Sequence, residues 1–285
     1  MRWTVRTLKG AVAAGLVVSA LLIGSVPVDA ALKPNYSIFF FRPGQTVTGT
    51  LHNGLFAQKK SFSTSGWTAA AASRDTLALY NSKTGKLKTG TFLNGVFTQK
   101  SVKTIDTGWT TAAASCDTVL FYKRPSGAAF TATLKGGVMG KRTNYGFSPG
   151  WDLIDASCNT ATFLANGSSS ATGVNGHLKG GKFTQTGGFA VAPYTNLTHT
   201  DNSYLLYSSK NLNGIWGPSG GGTEGLSGSA SDFSTWDLVA GTADSVLFYR
   251  SNGTEARATL KNGVYALVGS GADFSSGWTI IVGGR

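Results

Sequence analysis

Apolar and polar positions along this chain follow a beat that returns every 42 or 43 residues. Aromatic anchors stand at Trp67, Trp109, Trp151, Tyr194, Trp236 and Trp278. After each anchor comes a run of small residues, such as Thr68-Ala69-Ala70-Ala71-Ala72. A turn follows, carrying Asp75, Asp117, Asn159, Asn202 or Asp244 eight residues after its anchor. Next is a short apolar strand that often ends in Tyr: Leu77-Ala78-Leu79-Tyr80, Val119-Leu120-Phe121-Tyr122, Val246-Leu247-Phe248-Tyr249. A polar loop leads to a third strand (Thr89-Gly90-Thr91-Phe92, Ala132-Thr133-Leu134, Ala258-Thr259-Leu260). The pairs Asn94-Gly95, Gly136-Gly137 and Asn262-Gly263 then predict a tight hairpin into a fourth strand, such as Val96-Phe97-Thr98-Gln99. A fixed period of this size means that one supersecondary unit is reused, and it decides the fold before any single residue does.

The two ends complete the pattern. The first unit lacks its small-residue strand and begins at Tyr36-Ser37-Ile38-Phe39-Phe40-Phe41. The end of the chain supplies Trp278-Thr279-Ile280-Ile281-Val282 with no partner strand after it. One unit is therefore divided between the termini, as a closed ring requires. The expected fold is all-β: a six-bladed β-propeller of four-stranded units of about 42 residues, closed by the C-terminal strand. Two β-trefoils in tandem also have units near this length. They leave the divided unit unexplained, and no linker stands near residue 150.

Composition fits short strands joined by turns: 39 Gly in 285 residues, 11% aromatic and only 13% charged. Residues 1–30 read as a signal peptide. Arg2, Arg6 and Lys9 precede an apolar run from Ala11 to Gly24, and Val28-Asp29-Ala30 fits a cleavage site. That run is shorter than the roughly 20 residues a membrane span needs. The expectation is a secreted, extracellular protein with no transmembrane anchor, its propeller occupying residues 31–285 and forming a monomer.

Cys116 and Cys158 each fall seven residues after an anchor, in the same turn of adjacent units. Near the axis of a ring such points approach within disulfide reach, and an exported protein meets oxidising conditions. A disulfide is expected, the alternative being two buried free thiols.

Charge divides the chain. Residues 31–142 hold fifteen basic and three acidic side chains, whereas residues 143–285 hold seven and nine. The basic half suits an anionic surface such as a cell-wall polymer, an acidic glycan or phospholipid headgroups. Arg42, Lys83, Lys123 and Arg124 lie in equivalent loops after the second strand, with Lys210 and Arg250 in later units, and are the candidate electrostatic ligand-binding residues. Trp216 is the outlier among the tryptophans past the leader, set in Asn213-Gly214-Ile215-Trp216-Gly217-Pro218 outside the anchor register. It reads either as a stacking platform for a sugar or as filler in a degenerate unit. The anchor tryptophans read as wedges between blades. The turn carboxylates read as acceptors of backbone N–H groups.

No enzyme pattern emerges. The acidic residues show no opposed glycosidase pair. His52, His177 and His199 lack metal spacing. Gly217-Pro218-Ser219-Gly220-Gly221 is not a nucleophile elbow. No phosphate-binding loop, cofactor motif, metal site or nucleic-acid module is evident.

The Gly-Trp-Thr…Asp-Thr-Leu-x-x-Tyr…Thr-Gly…Asn-Gly-x-Phe unit resembles repeats in secreted proteins of actinobacteria and, more distantly, the tachylectin-2-like and other lectin-type propellers. The resemblance spans residues 31–285 and implies a propeller that binds carbohydrate. It departs from the fucose-binding six-bladed lectins, because no Arg, Glu and Trp trio recurs in each unit, so fucose specificity does not carry over. The function expected is a non-catalytic, lectin-like propeller binding a glycan or an anionic cell-wall polymer. The alternatives are a secreted glycan-active hydrolase with an unrecognised site and a protein-binding or structural scaffold.

Overall fold

The computed structural model describes residues 33–285 apart from Asp232 and Asp273, so the leader read at residues 1–30 lies outside the described residues. The first three strands are β1 (Ser37–Arg42), β2 (Gln45–His52) and β3 (Leu55–Phe62). Blade 2 follows as β4 (Ala69–Ala72), β5 (Thr76–Tyr80), β6 (Lys86–Leu93) and β7 (Val96–Thr104). Blade 3 comprises β8 (Thr111–Ala114), β9 (Thr118–Tyr122), β10 (Ala128–Lys135) and β11 (Val138–Gly146). Blade 4 is β12 (Leu153–Ala156), β13 (Thr160–Asn166), β14 (Ala171–Lys179) and β15 (Lys182–Val191). Blade 5 has β16 (Asn196–His199), β17 (Ser203–Ser208) and β18 (Asn213–Gly220), then two fragments, β19 (Thr223–Glu224) and β20 (Gly228–Ala230). Blade 6 contains β21 (Leu238–Gly241), β22 (Ser245–Tyr249), β23 (Glu255–Lys261) and β24 (Val264–Gly271), and β25 (Ile280–Gly283) ends the chain.

Every blade is an antiparallel sheet, and β25 pairs with β1 to complete blade 1 in the order β25-β1-β2-β3. The register runs from Ile38 opposite Gly283 to Phe41 opposite Ile280. The innermost strands β4, β8, β12, β16, β21 and β25 contact one another in a closed circle. The fold is the expected six-bladed propeller, closed by the C-terminal strand.

Small residues dominate these inner strands because six of them converge on one axis. The apolar second strands pack between blades. Trp109, for example, joins a core with Tyr80 and Leu87 from blade 2 and Phe121 and Phe130 from its own blade. Trp67, Trp109, Trp236 and Trp278 are all buried, and the Trp109 ring meets Phe130 edge-on at 4.8 Å. Asn53, Asn94 and Asn262 have positive φ and are each followed by a positive-φ Gly, the conformation a two-residue hairpin needs.

Two sets of polar ties join neighbouring blades, the first at four of the six junctions. On one face the tyrosine ending the second strand reaches the following anchor. Tyr122 Oη donates to Ser148 O at 2.9 Å and accepts from Trp151 N at 3.1 Å. Tyr249 treats Ser275 and Trp278 likewise, at 2.9 and 3.2 Å. On the other face the inner turns form a ring of hydrogen bonds around the axis. Arg74 N donates to Cys116 O, Cys116 N to Cys158 O, Cys158 N to Asp201 O, Asp201 N to Ala243 O, and Ala243 N to Asn35 O, at 3.1 to 3.3 Å. The Asn35 side-chain amide completes the circle by donating to Ser73 O at 3.4 Å.

The turn carboxylates do accept backbone N–H groups, but across a blade boundary rather than within their own turn. Asp75 Oδ2 accepts from Gly136 N at 2.9 Å, and Asp117 accepts from Gly180 N at 3.1 Å. The residues accepted from are the hairpin glycines of the next blade.

Cys116 and Cys158 form a disulfide between blades 3 and 4, with Cα atoms 4.3 Å apart. By loop-closure entropy, a loop of this length gains about 4 kcal/mol when crosslinked. Cys116→Ser is therefore expected to lower the unfolding free energy by about 2–4 kcal/mol, measured by urea titration. Under full reduction wild type and variant should coincide.

The fifth unit departs from the predicted four strands, because its outer strand is broken into β19 and β20. At Gly228 a Cβ would lie 2.7 Å from the Trp216 ring, so that ring occupies the space in which a regular fourth strand would place side chains.

Candidate functional site

Breaking that outer strand opens a cleft of about 370 Å³ between blades 4 and 5. Phe189 and Val191 from β15, Leu206 and Ile215 from blade 5, and Leu226 form its apolar walls. Leu226, on the segment joining β19 to β20, is 70% exposed. Its polar lining includes Thr162, Asn175, Tyr204 and Glu224.

Behind Glu224 is a buried charge network assembled from blades 4 and 5 and the end of the chain. His199 Nε2 stands 2.9 Å from Glu224 Oε1, and His199 Nδ1 is 3.4 Å from Asp155 Oδ2. Asp155 Oδ2 also accepts from His199 N at 2.8 Å and from Arg285 Nη2 at 2.6 Å. Thr162 and Ser219 donate their hydroxyls to Glu224 Oε1 at 2.6 and 3.1 Å. Burial alone would lower the His199 pKa, but Glu224 and Asp155 more than offset it, and the net direction is upward. Burial works against ionised Asp155 as well, yet Arg285 and His199 hold its pKa below the usual carboxylate range. Burial pushes the Tyr204 hydroxyl up to about 12, with Glu224 adding to the effect.

His199 also lies 3.3 Å from Thr162 Oγ1, a spacing that resembles a nucleophile beside its base. Held between two carboxylates, however, the imidazole is a proton donor to both and has no free nitrogen with which to activate Thr162.

Two polar atoms in the cleft lining lack a hydrogen-bond partner. Glu224 Oε2 and Asn175 Oδ1 are both buried and both acceptors. Buried acceptors are costly to leave unpaired, and such exceptions call for an explanation. Both oxygens belong to residues that line the cleft.

The sequence contains a signal for this network, in the places where the repeat fails. Four residues after the anchor the units carry Ala71, Ala113, Asp155, Thr198, Ala240 and Val282. Five residues after it they carry Ala72, Ala114, Ala156, His199, Gly241 and Gly283. Asp155 and His199 are thus the ionisable exceptions at adjacent inner positions, and reading His199 for metal spacing alone passed over them.

The residues expected from sequence to bind ligand do not converge. Arg42, Lys123 and Arg250 lie over the rings of Trp278, Trp109 and Trp236, with 5.0, 4.7 and 4.8 Å from cation to ring centroid. Arg124 pairs with Asp152. Lys83 and Lys210 are exposed. These six residues are spread over the loops of five blades. Trp216 is half-buried, 5.0 Å from the Tyr265 ring, and packs into the core between blades 5 and 6. At the mouth of the axis Asp201, whose pKa burial pushes up to about 6, lies beside Arg74 and the disulfide. Cys116, Cys158 and Asp201 are close enough to group as metal ligands, but the two sulfurs are bonded to each other.

No family model matches the chain, and no curated protein matches it. Solved structures do share its fold. A chain of the nidogen/laminin complex aligns with a TM-score of 0.59 at 8% identity, covering 86% of this chain and 97% of that one. A functionally unknown protein from Desulfotomaculum acetoxidans aligns with a TM-score of 0.53 at 11% identity, over 90% and 88%. Prp20p from Saccharomyces cerevisiae aligns with a TM-score of 0.51 at 9% identity, over 81% and 71%. At these identities the likeness is one of propeller fold. No helix among the described residues is long and apolar enough to cross a membrane.

Proposed function

We propose that this protein is a non-catalytic binding propeller that takes a carbohydrate group in the cleft between blades 4 and 5. The observation that carries this reading is the pair of buried, unpartnered acceptors, Glu224 Oε2 and Asn175 Oδ1, among the residues lining that cleft. Sugar hydroxyls are donors in search of such acceptors, and the C–H faces of a sugar ring suit walls of Phe189, Leu206 and Ile215. The exported setting read from residues 1–30 belongs to the same proposal, as does release without a membrane anchor. A propeller scaffold presents such a cleft at a blade junction without any moving part.

The test is calorimetric titration with a panel of neutral and acidic oligosaccharides. Glu224→Gln should weaken a binder by about 10- to 100-fold, the loss expected when a hydrogen bond to a charged acceptor is removed. Phe189→Ala should weaken the same binder, and Trp216→Ala serves as the comparison outside the cleft. A binder whose affinity ignores both cleft substitutions would overturn this assignment.

A further inference from the structure

The outer rim of blades 1 to 3 is a surface separate from the cleft. In the regular blades the outermost strand carries a β-bulge opposite the third strand. The bulge places Lys59 between the residues paired with Thr48 and Gly49 in blade 1, and Lys100 between those paired with Thr89 and Gly90 in blade 2. In blade 3 it places Gly140 and Lys141 between the partners of Ala132 and Leu134. The same position holds Thr186 in blade 4 and Val268 in blade 6. A bulge re-aims its extra side chain, so this position presents an ammonium group in blades 1 and 2 and neutral groups in blades 4 and 6, while the bulge of blade 3, one step further along its strand, carries Lys141 on the same rim.

Lys59 and Lys100 are anchored at their stems and open at their heads. Lys59 Cγ lies against the hairpin at Gly95 and Lys100 Cγ against the hairpin at Gly137, each beside the next blade. Lys59, Lys60, Lys100 and Lys141 are all exposed. The acidic side chains described in these blades are already engaged. Asp75 and Asp117 hold hairpin N–H groups, and Asp106 pairs with Arg142 at 3.0 Å. With three carboxylates against fifteen basic side chains in residues 31–142, this part of the chain keeps a large positive excess.

We infer that this rim is a docking surface for a linear anionic polysaccharide. Its shape decides between a chain and a flat anionic surface. Successive blades of a six-membered ring turn by about 60°, so three blades form a strongly convex arc. A flat bilayer touches such an arc tangentially at one blade. A flexible polyanion can follow it and meet the lysines in turn. The rim also presents no row of exposed aromatic rings on which nucleic-acid bases would stack.

The probe is a size-defined heparin fragment, with uncharged dextran, single-stranded DNA of matched charge and vesicles of anionic phospholipid as comparisons. With four lysine contacts, raising salt from about 50 to about 200 mM should weaken heparin-fragment binding roughly fiftyfold, from the counterion-release slope for single-stranded polyanions. The quadruple variant Lys59→Gln, Lys60→Gln, Lys100→Gln, Lys141→Gln should lose at least about tenfold at low salt, with an unchanged melting midpoint because the stems remain. Glu224→Gln should leave heparin binding intact, so failure here is distinguishable from failure of the cleft assignment. The inference is overturned if the quadruple variant binds heparin like wild type. It is equally overturned if dextran matches heparin, or if DNA or vesicles bind more tightly.

Discussion

A chain ending before Trp278 is expected not to fold as a stable monomer. The deletion removes β25, whose ladder with β1 runs from Ile280 to Gly283. It also removes Trp278, which is 5% exposed and packs against Phe40 at 5.7 Å. Loss of one buried Trp costs about 3–5 kcal/mol. Loss of Arg285 removes one of the two cationic groups facing Asp155, a further penalty of about 1.5–3 kcal/mol. Together these reach into the roughly 5–15 kcal/mol that stabilises a typical domain, before the exposed edge of β1 is considered. Size-exclusion chromatography and thermal melting of the truncated protein provide the check, and adding a peptide of residues 274–285 should restore part of the lost structure. A truncated monomer with an unchanged melting midpoint would contradict closure of the ring by this strand.

The second large effect is expected at His199. Replacing it by Leu leaves Glu224 buried, with only the Thr162 and Ser219 hydroxyls beside it, and should cost about 3–5 kcal/mol near neutral pH or below. The pH dependence identifies the cause. His199 has a raised pKa in the folded protein, so its contribution is complete below the unfolded imidazole value of about 6.5 and is lost as pH rises through the folded value. Asp155 has a lowered pKa, so its contribution is present above about 3.9 and fades as pH falls through the folded value. Denaturant unfolding at a series of pH values should therefore show the wild-type advantage over His199→Leu greatest between these limits and shrinking in alkali. An advantage constant across the whole range would mean that His199 contributes by packing alone.

The architecture was legible because six similar units each repeat the same physical decisions. The anchors, the small inner residues, the Asn-Gly hairpins and the divided unit all follow from one ring. Cys116 and Cys158 were legible for the same reason, being equal positions in adjacent units. The cleft was not legible, because Asp155, Glu224 and Arg285 reach His199 from distant stretches of chain, and their one trace in the sequence is the break in the repeat at Asp155 and His199. The loop cations were recognisable as equivalent positions, but their partners were not. A position twenty-five residues before Trp67 gives no hint that Arg42 covers Trp278, a residue 236 positions further along the chain. The turn carboxylates show the same limit at shorter range: their chemistry was readable, but the blade they serve was not.

The hydrogen-bonded ring of inner turns has one consequence for the chain as a physical object. Each turn gives a hydrogen bond to the blade ahead and receives one from the blade behind, and on the opposite face tyrosine hydroxyls tie several successive blades in the same forward sense. No blade therefore relies on covalent continuity alone to stay in place. A single cut in an exposed connection, such as the one bearing Lys83, opens the polymer without opening the assembly. The two fragments remain laced along both faces, and by the disulfide where it lies between them. Resistance to nicking is thus built into the way each blade holds its neighbour.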